Sequence, residues 1–225
     1  MKFINISDPT DVENYLYLQI EEATQKYENI TWIVSGGSNI VLTADVFKRL
    51  SDDQLAKLTI LLSDERYGSV GHPNSNYFQL KQAGVDFNKV KSTPVLISND
   101  ATLEQTAKIY NKVINDQFEN SDFIIGQLGI GPDGHTVGIL PNSNATEDVQ
   151  NLITYYKGVD YQRITLTFNG IRQISTVLVF CFGENKRLAI SELANSNLSL
   201  KEQPAQIFRQ LADAYIINDM IGEPE

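Results

Sequence analysis

Short apolar runs alternate with amphipathic segments along this chain, and that alternation restricts its fold more than any other feature. The apolar runs predict strands at 30–34, 58–62, 94–97, 123–128, 163–168, 176–182 and 214–217. The segments between them predict helices at 8–27, 40–50, 77–83, 101–118 and 186–194, with a helical turn at 169–174. Such alternation, without a Pro/Ser-rich linker or a repeat, predicts one α/β domain over residues 1–225. We expect its sheet to be mainly parallel and doubly wound, with helices on both faces.

The composition fits such a domain and excludes several other classes of protein. The chain has 225 residues, 42% of them hydrophobic and 20% charged, as expected for a soluble globular protein with a core. No apolar run approaches the roughly 18 residues of a membrane helix. The first eight residues also lack the long apolar stretch of a secretory signal. We therefore expect a cytoplasmic protein that does not contact membranes.

Charge and cysteine content restrict the partners and the chemistry. A net charge of −10 argues against nucleic acid as a partner, because its binding depends on Lys and Arg that neutralise phosphates. A phosphorylated small substrate would need a locally positive site. The only cysteine, Cys181, lies in an apolar run, which excludes an internal disulfide and a multi-cysteine metal site. A buried, unreactive thiol is the simpler interpretation, with a nucleophile as the alternative.

A glycine-rich stretch, Gly129–Thr136, follows the predicted strand at 123–128. The carboxyl ends of parallel strands are where α/β sheets place their chemistry. His135 lies in this stretch, and an imidazole can both accept and return a proton near neutral pH. The alternative is a glycine-rich turn in which the histidine only fills space.

Two further stretches follow predicted strands. Ser35-Gly36-Gly37-Ser38 precedes a predicted helix, so its backbone N–H groups and hydroxyls could hold an anion. The alternative there is an ordinary tight turn with a serine cap. Asp64-Glu65-Arg66 is either a solvated loop with a local ion pair or a phosphate site. In the second case Arg66 binds the phosphate, and Asp64 or Glu65 orients its guanidinium group.

Three other residues complete the set of candidates. Lys186 is predicted in the first turn of a helix, where the dipole disfavours a cation, so either an anion or solvent compensates it. Arg163 begins its predicted strand, which would place it at the opposite end of the sheet from the other candidates. His72 is interpreted as a loop histidine. The polar segment 142–158 is predicted to be a loop with a short helix that could partly cover the site.

These stretches together resemble the 6-phosphogluconolactonase family. The signature Gly-x-Gly-Pro-Asp-Gly-His-Thr at 129–136 carries most of the resemblance, supported by Ser75-Asn76, by Arg163-Ile164-Thr165-Leu166-Thr167 and by Gly183-x-x-Lys186. The implied fold is that shared with glucosamine-6-phosphate deaminases and ribose-5-phosphate isomerases. The implied reaction is hydrolysis of 6-phospho-D-glucono-1,5-lactone to 6-phosphogluconate, without a metal or organic cofactor. The residues implied around the phosphate and the sugar ring are Gly36, Gly37, Ser38, Asp64, Arg66, Asn76 and Lys186.

Two departures from the family pattern stand out, Gly68-Ser69 after Arg66-Tyr67 and Val137–Leu140 after His-Thr. Both look like pocket wall, so they bear on rate or fit more than on the class of reaction.

The predicted mechanism is direct attack by water. His135 acts as the general base, and Asp133 holds the imidazole tautomer and stabilises its charged form. A Gly-x-Ser-x-Gly elbow is missing from the sequence, so an acyl-enzyme is not expected. One alternative is an aminosugar-phosphate deaminase/isomerase, but the stretch 136–141 contains no glutamate to serve as its additional acid. Another is a sugar-phosphate sensor without catalysis. We expect a monomer or a small homo-oligomer.

Overall fold

The computed structural model describes residues 1–148 and 150–222, so residue 149 of the predicted loop and residues 223–225 of the predicted domain lie outside the described part. In chain order, its strands are β1 (Lys2–Asn5), β2 (Ile30–Val34), β3 (Leu58–Leu62), β4 (Asp64–Arg66), β5 (Lys91–Ser92), β6 (Phe123–Leu128), β7 (Ile153–Lys157), β8 (Gln162–Leu166), β9 (Thr176–Cys181) and β10 (Ala214–Asn218). Its α-helices are α1 (Pro9–Lys26), α2 (Asn39–Arg49), α3 (Asp52–Ala56), α4 (Asn76–Ala83), α5 (Leu103–Glu119), α6 (Phe168–Arg172) and α7 (Arg187–Asn195). Short 3-10 helices lie at Asn144–Thr146, Glu184–Lys186 and Pro204–Gln210.

Seven of these strands form one parallel sheet in the order β1-β10-β9-β6-β2-β3-β5. Every residue of β2, β3 and β9 is buried, which requires cover on both faces of the sheet. The predicted α/β class with a mainly parallel, doubly wound sheet is therefore confirmed. From β2 the chain first builds toward β3 and β5, and later toward β6 and β9, so the order reverses between β2 and β6. A ligand site is expected beyond the carboxyl ends of strands at such a reversal.

Local signals explain where the helices begin and end. Asp8 caps α1 by accepting the backbone N–H of Thr10 at 2.8 Å, and proline occupies the first turn. Thr102 and Gln105 form a capping box that starts α5. Gly84 ends α4 in the left-handed conformation. None of the helices in the described ranges is long and apolar enough to cross a bilayer.

A second, antiparallel sheet was not predicted. It has the order β4-β8-β7 and packs against α5. The interpretation of 64–66 as a loop was therefore wrong, because β4 lies there. The prediction of a loop with a short helix at 142–158 was wrong at β7, although a 3-10 helix does lie at Asn144–Thr146. The prediction of a strand at 94–97 was also wrong, because the edge of the main sheet is formed by β5 instead. The amino-terminal strand β1, which pairs with β10, had not been identified.

Candidate active site

A pocket of about 310 Å³ lies where the loops after β2, β3, β6 and β9 meet. Of the predicted site residues, it is lined by Gly36, Gly37, Ser38, Asp64, Arg66, Asn76, His135 and Lys186. It is also lined by Ser35, Asn39, Gly129, Ile130, Gly131, Pro132, Val137, Gly138, Leu140 and Arg163. Stretches about 150 residues apart in sequence thus share one cavity because parallel strands end at the same edge of the sheet.

His135 is held in the pocket by Asp133. Its Nδ1 lies 2.5 Å from Asp133 Oδ1, which also accepts the backbone N–H of His135 at 3.2 Å. The histidine side chain is 35% exposed and the aspartate 50%. Partial burial acts to raise the pKa of the Asp133 carboxyl, but hydrogen bonds and charge from His135 outweigh it, so the pKa is lowered. An ionised carboxylate on Nδ1 leaves Nε2 of the neutral ring as a proton acceptor.

Glycines in the loop after β6 allow this arrangement. The backbone N–H of Gly131 donates to the carbonyl of His135 at 2.9 Å, and Gly134 turns the chain with a φ of 77°. A Cβ at position 131 would lie 2.0 Å from Cε1 of the His135 ring. The imidazole therefore packs directly on the backbone of Gly131, in space that only glycine leaves free.

The loop after β2 presents the amino terminus of α2 to the same pocket. Ser38 is the N-cap of α2, but its side chain makes no capping hydrogen bond to the helix. The first N–H groups of a helix carry partial positive charge and bind anions well. At Gly36 a Cβ would lie 2.0 Å from Asn76 Oδ1, so the loop after β2 and α4 approach too closely for a side chain.

Glu65 has a structural role that the sequence analysis did not foresee. Its buried carboxylate accepts the backbone N–H groups of Asn76 at 2.7 Å and Tyr77 at 3.2 Å, and the Ser75 hydroxyl at 2.8 Å. Burial raises the pKa of the Glu65 carboxyl although these donors act against it. Glu65 thereby fixes the start of α4 and the position of Asn76.

The guanidinium group of Arg66 is not oriented by Asp64 or Glu65, so that prediction was wrong. Its Nη1 donates instead to the carbonyl of Asn74 at 3.0 Å. Its Nε is buried without a partner among the described residues, as is Oδ1 of Asn76. Two unpaired buried polar atoms on the wall of one pocket call for a polar ligand, because leaving them unsatisfied costs roughly 1–3 kcal/mol each.

Asp64 is a buried carboxylate on the pocket wall. It accepts a hydrogen bond from the Ser63 hydroxyl at 3.0 Å, and Ser63 in turn lies 2.8 Å from the Ser35 hydroxyl. A Cβ at Gly138 would come within 2.9 Å of Asp64 Oδ2. In the described part of the chain, no cation lies within ion-pair distance of Asp64.

Arg163 lies on the pocket wall, contrary to the expectation that it would be at the wrong end of the sheet. It belongs to β8 of the antiparallel sheet, where it stands directly opposite Arg66 of β4. The expectation assumed that this strand runs parallel to the others in the main sheet. The signal that could have found it is the pairing of two short charged strands, which single-sequence periodicity does not reveal.

Lys186 supplies a third cation. It ends a 3-10 helix and is the N-cap of α7 rather than a residue of its first turn. Within the described residues, no carboxylate lies within 4 Å of its ammonium group.

Cys181 is fully buried, and that burial raises the pKa of its thiol to about 11. The prediction of an unreactive thiol agrees with that environment.

The two departures from the family pattern have different positions. Val137, Gly138 and Leu140 line the pocket, and Val137 does so with a φ of 45°, which is unusual for a β-branched residue. Gly68 and Ser69 do not line it, so the prediction that they form pocket wall was wrong.

In the described chain, no residue of 142–158 lines the pocket, so the predicted partial cover by this segment is absent there. His72 lies outside the pocket with Nε2 2.9 Å from the carbonyl of Arg66.

Comparison with known proteins places the chain among sugar-phosphate enzymes. Over 226 residues it is 25% identical to the 6-phosphogluconolactonase of Borreliella burgdorferi, covering 94% of each chain. It is 27% identical over 186 residues to that of a Nostoc species, covering 78% of this chain and 75% of the relative. It is 30% identical over 214 residues to a probable 6-phosphogluconolactonase of Arabidopsis thaliana, covering 84% of this chain and 80% of the relative.

Solved structures agree on the fold. The 6-phosphogluconolactonase of Thermotoga maritima superposes with a TM-score of 0.80 at 20% identity, covering 96% of this chain and 98% of that one. A monomeric glucosamine-6-phosphate deaminase superposes with a TM-score of 0.77 at 18% identity, covering 97% of each chain. Residues 9–216 match the family described as glucosamine-6-phosphate isomerases/6-phosphogluconolactonase. With that match over most of its length, the chain belongs to the glucosamine-6-phosphate isomerase/6-phosphogluconolactonase family.

Proposed function

We propose that this protein hydrolyses 6-phospho-D-glucono-1,5-lactone to 6-phospho-D-gluconate, the second step of the oxidative pentose phosphate pathway. The observation that carries the proposal is that His135, whose ring is held by Asp133, lines the same pocket as three cationic side chains. The His–Asp pair can activate water, and the cations can bind a phosphate group. The names of the relatives support the same reaction.

The His–Asp pair would act on water. Asp133 accepts the Nδ1–H of His135, so the Nε2 lone pair takes a proton from water as it adds to the lactone carbonyl. Collapse of the tetrahedral intermediate breaks the ring C–O bond, and the same imidazolium returns its proton to the leaving oxygen. The balance is one water consumed and one carboxylic acid formed, with no need for a metal or organic cofactor.

The remaining pocket residues would bind the substrate. The guanidinium groups of Arg66 and Arg163 and the ammonium group of Lys186 are suited to the phosphate, together with the N–H groups at Gly36–Ser38. Asp64 and Oδ1 of Asn76 are acceptors, and they are suited to the sugar hydroxyls. Because the whole chain carries a net charge of −10, this cluster of cations is a favoured place for an anion.

The test is acid release from freshly prepared phosphogluconolactone, measured against its spontaneous hydrolysis. We expect His135→Ala to lower the catalysed rate by roughly 10²–10⁴-fold, the usual contribution of a general base. Hydrolysis by this variant within threefold of the parent would refute the role of His135. Asp133→Asn is the matched variant, because it preserves shape while removing the charge that stabilises the imidazolium.

Two other outcomes would point elsewhere. Release of ammonia from glucosamine 6-phosphate would favour a deaminase/isomerase, and tight phosphosugar binding without turnover would favour a sensor. We further propose that the protein is cytoplasmic, is a monomer or small homo-oligomer, and does not bind nucleic acid.

A further inference from the structure

We propose that Asp160 and Tyr161, in the turn between β7 and β8, are positioning residues that hold the two pocket arginines ready for a phosphate group. Neither residue lines the pocket, so neither is expected to touch substrate. The inference rests on the proposed function in one respect, namely that Arg66 and Arg163 bind the substrate phosphate.

The need for such residues follows from the pairing of β4 with β8. Arg66 and Arg163 are direct partners across the two strands, and like charges at that position repel each other. The Arg163 side chain is only 9% exposed, so solvent screens its charge poorly. Without a compensating group, we expect the two guanidinium groups to move apart before a ligand arrives.

Asp160 supplies the compensating charge for Arg163. Its Oδ1 accepts from Nη1 at 2.6 Å and its Oδ2 accepts from Nη2 at 3.0 Å, which is a two-point contact that fixes the plane of the guanidinium group. Oδ1 also accepts the backbone N–H of Tyr161 at 2.9 Å, so the carboxylate is itself tied to the turn. The Arg163 guanidinium lowers the pKa of the Asp160 carboxyl to about 2, so the contact stays charged at neutral pH.

The turn leaves space for this contact. The backbone N–H of Gly158 donates to the carbonyl of Tyr161 at 2.8 Å and closes the turn. A Cβ at position 158 would lie 2.6 Å from Nη1 of Arg163. Any side chain there would therefore displace the guanidinium group that Asp160 holds.

Tyr161 links the two arginines. The centroid of its ring lies 5.6 Å from Cζ of Arg66 and 5.5 Å from Cζ of Arg163. Both distances lie within the roughly 6 Å over which an aromatic ring attracts a cation. The Tyr161 ring thus offsets part of the repulsion between the two guanidinium groups and restricts the movement of both. A site that is ordered before binding loses less entropy when the ligand arrives, so its affinity is higher.

The experiment uses D160N, which keeps the size of the side chain but removes its charge, and Y161L with Y161F as the matched control that keeps the ring. We measure KM and kcat on the phosphorylated lactone and on unphosphorylated glucono-1,5-lactone. Calorimetry gives Kd for 6-phosphogluconate and for gluconate. We expect D160N and Y161L to raise KM and the phosphogluconate Kd by about 3- to 10-fold, a fraction of a whole charge-assisted contact. We also expect kcat within twofold, unchanged gluconate binding and a Y161F protein that behaves as the parent.

Several results would overturn the positioning role. Folded D160N and Y161L proteins that bind phosphogluconate as the parent does would refute it. Tighter binding by D160N would show that Asp160 competes with phosphate instead. Equal changes for the phosphorylated and unphosphorylated ligands would indicate a general structural effect. If the parent lacks lactonase activity but phosphogluconate binding weakens as expected, the proposed function fails and this inference stands.

Discussion

The sharpest test of the site geometry is the substitution Gly131→Ala, which adds a single methyl group. The backbone of Gly131 has no positive φ, so alanine there does not incur the strain of the left-handed region. The new Cβ would lie 2.0 Å from Cε1 and 2.2 Å from Nδ1 of His135, whereas ordinary contact begins at 3.4 Å. The imidazole must therefore move by about 1.4 Å to restore van der Waals contact.

That displacement affects the step on which the proposed mechanism depends. The ring is held by the 2.5 Å contact from Nδ1 to Asp133, and a shift of this size lengthens or breaks it. A misplacement of about 1 Å can reduce the rate roughly 10²-fold, so we expect kcat of Gly131→Ala to fall by at least about that factor. Loss of the general base altogether, roughly 10⁴-fold at most, sets the upper limit.

The assay is kcat for lactone hydrolysis, with thermal unfolding as the test of folding. Gly131→Ala is combined with His135→Ala in a double-mutant cycle. If the methyl group acts only through the ring, the double variant has the same kcat as His135→Ala alone. The reasoning is refuted if Gly131→Ala retains kcat within threefold of the parent. It is also refuted if the two losses multiply, because the methyl group would then act elsewhere.

Other predictions concern the cations, the thiol and acid stability. Lys186→Ala is expected mainly to raise KM, because a phosphate contact is shared by the ground and transition states; an unchanged KM would remove Lys186 from the phosphate site. Cys181→Ala is expected to keep kcat within twofold, and alkylating reagents at pH 8 are expected to spare the folded protein, because its buried thiol has a pKa raised to about 11. The pKa of Asp160 is lowered to about 2, so its pairing with Arg163 stabilises the fold above its ordinary pKa of 3.8 and is lost as pH falls toward 2. The difference in Tm between the parent and D160N is thus expected to shrink from pH 5 to pH 2.5, and a constant difference would contradict this.

Local sequence patterns were enough to predict most strands of the parallel sheet. The apolar runs at 30–34, 58–62 and 123–128 match β2, β3 and β6 at every residue, because strands buried on both faces are mostly apolar along their length. Glycine-rich turns after β2 and β6 marked the loops that line the pocket. The pairing of Asp133 with His135 was also within reach, since the two residues are neighbours in one turn.

Predictions failed where a residue depends on partners that are distant in sequence. Strand β4 has only three residues and carries charges, so nothing local distinguishes it from a loop. Its partner β8 begins nearly 100 residues later. Arg163 reaches the pocket only through this antiparallel pairing, and the role of Glu65 at the start of α4 depends on a contact across ten or more residues.

The sequence by itself determined the class of fold, the glycine-rich loops and the residue types that can activate water or bind an anion, because each depends on neighbours within a few positions of the chain. Tertiary structure alone decided which cations share the pocket, what holds them and which polar atoms remain unpaired there. Those properties depend on how strands that are distant in sequence pair with each other. The free energy of such pairing depends on the packing of the entire domain and not on any local segment.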